Sequence, residues 1–215
     1  MKLEEIKKPY ETVISLGSYY EVAHQLDRYN LRKFTGPIDW LVLENIYNLN
    51  RTLKNGFSDL MRINNLKIEA KKNGYYTVRD IYYNCLSVHD FPINDYDKDW
   101  YSMYDQFSKR FKTRIDNFFY HIQNSSSILF IRLGVEYKGI KELTSILNKY
   151  VEGEYNILAL NYLNDKIILP HNKKVREKDW NLKNVCYAEV PNTKGKWEGD
   201  NEAWNYLLEG ISLDR

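Results

Sequence analysis

Four short aliphatic runs punctuate the chain, at residues 12–16, Ser127–Leu133, 155–160 and Val185–Val190. None shows the polar alternation of a strand with one wet face, so each is expected to be a strand buried on both sides. Between the second and third runs, "EYKGIKELTSILNKYVEG" (136–153) sets Ile140, Leu143, Leu147 and Tyr150 at helical spacing, with Gly153 as the expected stop. A strand, a helix and a strand in so short a span make a βαβ unit, which implies parallel pairing. The longest helix is predicted over 100–123, where Met103, Phe107, Phe111, Ile115, Phe118 and Ile122 form one stripe. Lys109, Arg110, Lys112 and Arg114 populate the rest, which reads as a solvated face, with a polyanion surface as the alternative.

The intervening segments are more varied. Residues 41–62 read as helical with a break at Asn55-Gly56, and 66–80 as a hairpin turning at Asn73-Gly74. Residues 81–91 extend further, and 200–211 form a terminal helix packing Trp204, Leu207 and Leu208. The pattern predicts an α/β fold in one domain, 1–215. It is a three-layer arrangement whose sheet is at least partly parallel, with helices on both faces and an irregular insertion near 63–98. Ligands of such sheets sit at the carboxyl ends of the strands. Gly17-Ser18, His89 and the segment after Leu133 are the candidates for that edge.

Composition narrows the function classes. Apolar residues at 43% and charged residues at 28% are ordinary for a globular chain, and a net charge of +2 supplies no field for nucleic acid or an anionic membrane. The 19 tyrosines, in a chain crowded with Asn, Lys and Ile, fit genome composition, with carbohydrate or aromatic binding as the lesser alternative. The opening "MKLEEIKKPYETVISLG" has no apolar core of a signal peptide, and no run approaches the ~18 apolar residues of a membrane helix. A cytoplasmic protein without membrane insertion is expected. Cys85 and Cys186 make neither a disulfide framework nor a ligand spacing, and His24, His89, His121 and His171 are scattered. No metal and no cofactor is therefore expected. The oligomeric state is left open.

Candidate chemistry gathers at "VISLGSYYEVAHQL" (13–26), a strand running into a helix through Gly17-Ser18. Ser18 to Glu21 matches the capping box S-x-x-E, in which the serine hydroxyl accepts from a helical amide. The functional alternative makes Ser18 a nucleophile on a strand-to-helix turn. Esterases of that kind place Asp and His three residues apart near the C-terminus, and Asp165 and His171 stand six apart. His89 is either a buried, hydrogen-bonded core histidine or a general base. Asp39, between Ile38 and Trp40, needs a partner: it orients His89, holds the loop 35–40, or caps the next helix. Asp90 reads as a local hydrogen-bonding residue, and Trp180 and Trp197 as loop anchors.

In order along the chain, Ser15-Leu16-Gly17, Leu31-Arg32, Pro37-Ile38-Asp39-Trp40 and His89-Asp90-Phe91 carry a resemblance, extended by "SILFIRLG" and "KWEGDNEAW". The sequence resembles a bacterial domain-of-unknown-function family labelled "putative papain-like cysteine peptidases", whose pattern is S-L-G-x-x-C, P-F-D-W and H-D-F. The resemblance implies a Cys–His hydrolase or acyl-transfer site, and a papain-like α+β fold as the alternative architecture. It also puts Tyr20 where the family has its presumed nucleophilic cysteine. A cysteine in the first turn of a helix gains thiolate character, and beside a histidine it is a nucleophile. Tyrosine, with an ordinary pKa of about 10, does not inherit that role. Cys85, four residues before His89, lies about 13 Å from it on a regular strand, too far to substitute. The leading reading is a binding or regulatory pseudoenzyme for a peptide, acyl or glycan ligand, its site marked by Tyr20, His89, Asp39 and Ser18. The alternatives are a serine-dependent esterase or acyltransferase using Ser18 and His89, and a scaffold whose tyrosines form a protein interface.

Overall fold

The aliphatic runs pair as strands of one sheet. The computed structural model describes residues 1–93, 100–170 and 173–214. In chain order it begins with β1 (Pro9–Tyr10), β2 (Thr12–Ser15), α1 (Tyr20–Arg28), β3 (Leu41–Val42) and α2 (Ile46–Lys54). There follow β4 (Leu66–Lys72), β5 (Tyr75–Asp80), β6 (Cys85–Pro92), α3 (Tyr104–Asn124), β7 (Ser127–Leu133) and α4 (Tyr137–Leu147). The chain closes with β8 (Glu154–Tyr162), β9 (Arg176–Lys178), β10 (Val185–Val190), α5 (Asn201–Leu208) and β11 (Ser212–Leu213).

The main sheet has the order β2-β7-β8-β10-β9, parallel through its first four strands and antiparallel only at β9. Its two faces are both covered, because the strands are apolar on alternate sides. Ile14, Phe130, Ile157 and Val185 meet α2, α3 and α4 through Leu49, Phe118 and Ile140. Val13, Leu129, Leu158 and Cys186 meet α1 and α5 through Val22, Leu26 and Trp204. Helices on both faces of a largely parallel sheet are the expected α/β arrangement.

The insertion differs from expectation. Residues 63–93 are regular, not irregular: β3, β6, β5 and β4 form a second, antiparallel sheet, and 94–98 of the predicted insertion lie outside the described residues. Its inner residues Val78, Cys85 and Phe91 join the same apolar cluster as the main sheet. The hairpin turns where predicted, with both Asn73 and Gly74 at positive φ, the geometry of the favoured two-residue hairpin turn. The helix expected over 41–62 shrinks to α2. Residues 41–42 pair with β6 instead, and Phe57 and Met61, both at positive φ, turn the chain after the break. Asp80 stabilises that turn by accepting from the Met61 amide at 2.7 Å.

Gly153 has a different task from the one its position suggested. Helix α4 ends at Leu147, with Asn148 as its cap. At Gly153 a Cβ would stand 2.3 Å from the Ser125 carbonyl oxygen and 2.6 Å from that of Ser126. Backbone crowds it on the way into β8, so there is no flexible neighbour to yield. Gly153→Ala is therefore expected to destabilise the protein by about 2 kcal/mol or more, in the range of overpacked sites. Urea denaturation checks this, and an unchanged midpoint would refute it.

Candidate functional site

The turn after β2 is built on Arg132, a charged residue inside the aliphatic run of β7. Its guanidinium is 0% exposed and donates to the carbonyls of Leu16, Leu43 and Glu44, each at 2.7 Å. Gly17, at φ 78, lies so close that a Cβ there would stand 3.0 Å from Arg132 Nη1. Ser18 follows, only 1% exposed, and its Oγ has no hydrogen-bond partner among the described residues. The expected capping box does not form. Tyr19 occupies the N-cap without a side-chain capping bond, its hydroxyl donating instead to Glu44 at 2.9 Å, and Glu21 is drawn away by tertiary partners. Glu21 is buried and accepts from Trp204 Nε1 at 2.7 Å and from the Tyr162 hydroxyl. Nor is Ser18 bonded to His89, as the serine-nucleophile reading requires.

Tyr20 opens α1, and its ring lies 5.6 Å from that of His89, centroid to centroid, at an interplanar angle of 48°. Trp40 stands 6.0 Å away on another side of Tyr20, and Tyr75 meets His89 edge-on at 5.5 Å. The structure thus brings Tyr20 and His89 together at the carboxyl end of β2. His89 is exposed, not a buried core histidine. A bulge explains this. Ser87 pairs with Val78 and Phe91 with Tyr76, so Val88, His89 and Asp90 face the single residue Thr77. Such bulges re-aim a side chain out of the regular alternation. Burial, and then the nearby Asp90 and Cys85, push the Tyr20 phenol well above its ordinary range. The Val88 amide is near that hydroxyl, yet no hydrogen bond of ordinary geometry forms.

Asp39 takes one of its three expected roles. It holds the loop 35–40, accepting from the Gly36 amide at 2.9 Å and pairing with Arg32 at 3.2 Å. Among the described residues its hydrogen bonds go to these groups and not to His89. Burial raises its carboxyl to about 6 despite both partners. Arg32 in turn lies over the Trp40 ring at 5.4 Å, which fixes the wall beside Tyr20. Asp90 accepts from Ser87 Oγ at 2.8 Å, a local bond as expected, and is also paired with Arg114 of α3 at 3.4 Å. Cys85 is fully buried, and burial pushes its thiol far above the ordinary range.

Trp180 stacks on Tyr187 at 3.9 Å, an anchor as expected, and Trp197 meets His24 edge-on at 4.9 Å. His171 lies outside the described residues. Among the described residues no group of His, Cys, Asp and Glu side chains is placed to hold a metal ion. Nor is any helix there long and apolar enough to cross a membrane. Sequence reasoning missed Arg132 and Arg114. Arg132 had a signal, since a lone cation in a buried strand requires partners. Arg114 had none, being one of several basic residues on a polar helix face.

Tyr20, the first residue of α1, thus faces a histidine at the end of the first strand of the main sheet. A family model described as "Putative papain-like cysteine peptidase (DUF1796)" matches residues 11–162, and the chain belongs to that family. The chain is also 26% identical over 216 residues to "Uncharacterized protein R408" of Acanthamoeba polyphaga mimivirus, covering 91% of this chain and 96% of the relative. That relative is viral, so likeness to this chain is not confined to bacteria. No solved structure matches it.

Ser18→Ala is expected to leave stability unchanged or raise it by up to about 1 kcal/mol, because it removes a buried hydroxyl without a partner. Loss of a working cap would instead cost about 0.5–2 kcal/mol, and urea titration separates the two. Asp39 gives a pH signature. The folded chain holds its proton up to about pH 6, whereas the unfolded chain releases it near 3.8. The folded state therefore binds more protons in that window, and stability falls as pH rises through it. Unfolding free energies of parent and Asp39→Asn, measured from pH 4 to 7, should show the parent's margin over the variant shrinking and then levelling. A margin that grows with pH would show that Arg32 outweighs burial.

Proposed function

We propose that this protein is a ligand-binding pseudoenzyme of its family, in which Tyr20 stands at the nucleophile position and His89 keeps the place of the base. The observation that carries this is the approach of the two rings to 5.6 Å at the helix-opening end of β2. The phenol is a poor nucleophile there: it is protonated at neutral pH even at its ordinary pKa of about 10, and burial moves it further in that direction. Cys85 offers no replacement, being a fully buried protonated thiol, and Ser18 has no bond to a base. What the site retains is a set of aromatic walls, Tyr20, Trp40, Tyr75 and His89, with Arg32 behind Trp40. Walls of that kind suit a peptide, acyl or glycan ligand more than a small charged metabolite. The protein acts as one domain in the cytoplasm, binding without turnover.

Tyr20→Cys tests the assignment. A thiol at that position meets the helix N-terminus and His89, both of which favour thiolate. Its alkylation by iodoacetamide at pH 6.5 is expected to be at least about tenfold faster than that of an unperturbed thiol. His89→Ala in the same background should remove the acceleration. Parent Cys85 and Cys186 should react slowly, since burial raises both thiols. An unaccelerated Tyr20→Cys thiol, or one indifferent to His89, would refute the site.

A further inference from the structure

The polar face of α3 contains a contact that a solvated face does not require. Two of its arginines converge on one residue of β6. Arg114 Nη1 and Nη2 each lie 3.4 Å from Asp90 Oδ1, and Arg110 Nη2 donates to the Asp90 carbonyl oxygen at 3.4 Å. The other carboxylate oxygen of Asp90 accepts from Ser87 Oγ at 2.8 Å. Ser87 and Asp90 flank the bulge, and Val88 and His89 lie between them. Beyond it, Phe91 packs on Phe107 of α3 at 4.8 Å.

An unbraced bulge with three residues opposite one has several backbone conformers, and His89 would turn with each. The Ser87–Asp90 bond closes the bulge on itself, and the α3 guanidinium fixes that closed loop to a rigid helix. Arg114 also stands near enough to Asp39 to act on its carboxyl, together with Arg32. One cation therefore pairs with Asp90 of the bulge that carries His89 and acts at longer range on Asp39 of the loop that carries Trp40.

We infer that Arg114 is a positioning residue: through Asp90 it holds the β6 bulge so that the His89 ring stands between Tyr20 and Tyr75. The inference rests on the proposed Tyr20–His89 site only for the use to which this geometry is put. Its physical content is separate, because it predicts where the imidazole sits whether or not a nucleophile faces it.

The first measurement uses the parent protein. The ring protons of His89, assigned by their loss in His89→Ala, should carry ring-current displacements from Tyr20 and Tyr75. In Arg114→Gln those displacements should fall by at least about half, while Arg114→Lys, which keeps the cation but not the two-nitrogen contact, should lose less than Arg114→Gln does. Thermal denaturation establishes that each variant is folded; should Arg114→Gln fail to fold, Asp90→Asn, which weakens the same pairing, takes its place. The second measurement is alkylation in the Tyr20→Cys background, where Arg114→Gln should lower the rate at least about fivefold, as a displaced base does. His89 displacements that collapse in Arg114→Gln, beside a Tyr20→Cys thiol that was never accelerated, would sink the proposed function and support this inference. Unmoved His89 resonances in both folded Arg114→Gln and Asp90→Asn would overturn the inference, whatever the thiol does.

Discussion

A single guanidinium, bonded to three backbone carbonyls, holds the carboxyl edge of the main sheet. Arg132 is enclosed completely, and burial pulls it down to about 9, so it is still a cation at neutral pH. Desolvating such a charge costs several kcal/mol, which hydrogen bonds to a charged group offset at about 1.5–3 kcal/mol each. Its three acceptors are backbone carbonyls at the end of β2 and at the approach to α2. Two segments far apart in sequence are thereby tied to one strand. The turn that launches α1 passes close over this cation, and Gly17 is what lets it do so.

The launched helix is then fixed from its side. Glu21, one residue beyond Tyr20, is gripped by Trp204 of α5 and Tyr162 of β8, and Gly199 leaves no room for any Cβ against it. Gln25, one turn further, donates to the Glu198 carbonyl and to Asn201. The C-terminal segment therefore belongs to the support of the site, although the family match ends at residue 162. With α1 held below by the Arg132 turn and laterally by Glu21, Tyr20 has little freedom. Rigid rings of this kind have little side-chain entropy left to lose.

The same rigidity gives the Tyr20 ring a fixed place. That ring packs against Trp40 and His89, and its hydroxyl, which has no hydrogen-bond partner among the described residues, stays neutral. Burial raises the phenol further above its ordinary range, so no charge is enclosed with the ring.

The sequence by itself determined the layered α/β plan: the four aliphatic runs became the parallel strands, the 3.6-residue stripes became α3, α4 and α5, and Asn73-Gly74 turned its hairpin. Those features are local, because hydrophobic period and turn chemistry act within a few residues. The pairing of Tyr20 with His89 was legible through the motif order, since the resemblance named both residues. What only the tertiary structure decided are contacts between distant segments competing with local ones. Glu21 matched a capping box but bonds to Trp204 and Tyr162 instead, leaving Ser18 without its expected partner. His89 read as a possible core residue until three residues of β6 bulged opposite one. Arg114 became more than one cation among several only when α3 crossed β6 and brought Asp90 within reach. In each case the deciding partner lies outside the local window that a sequence pattern can sense, and folding alone brings it close.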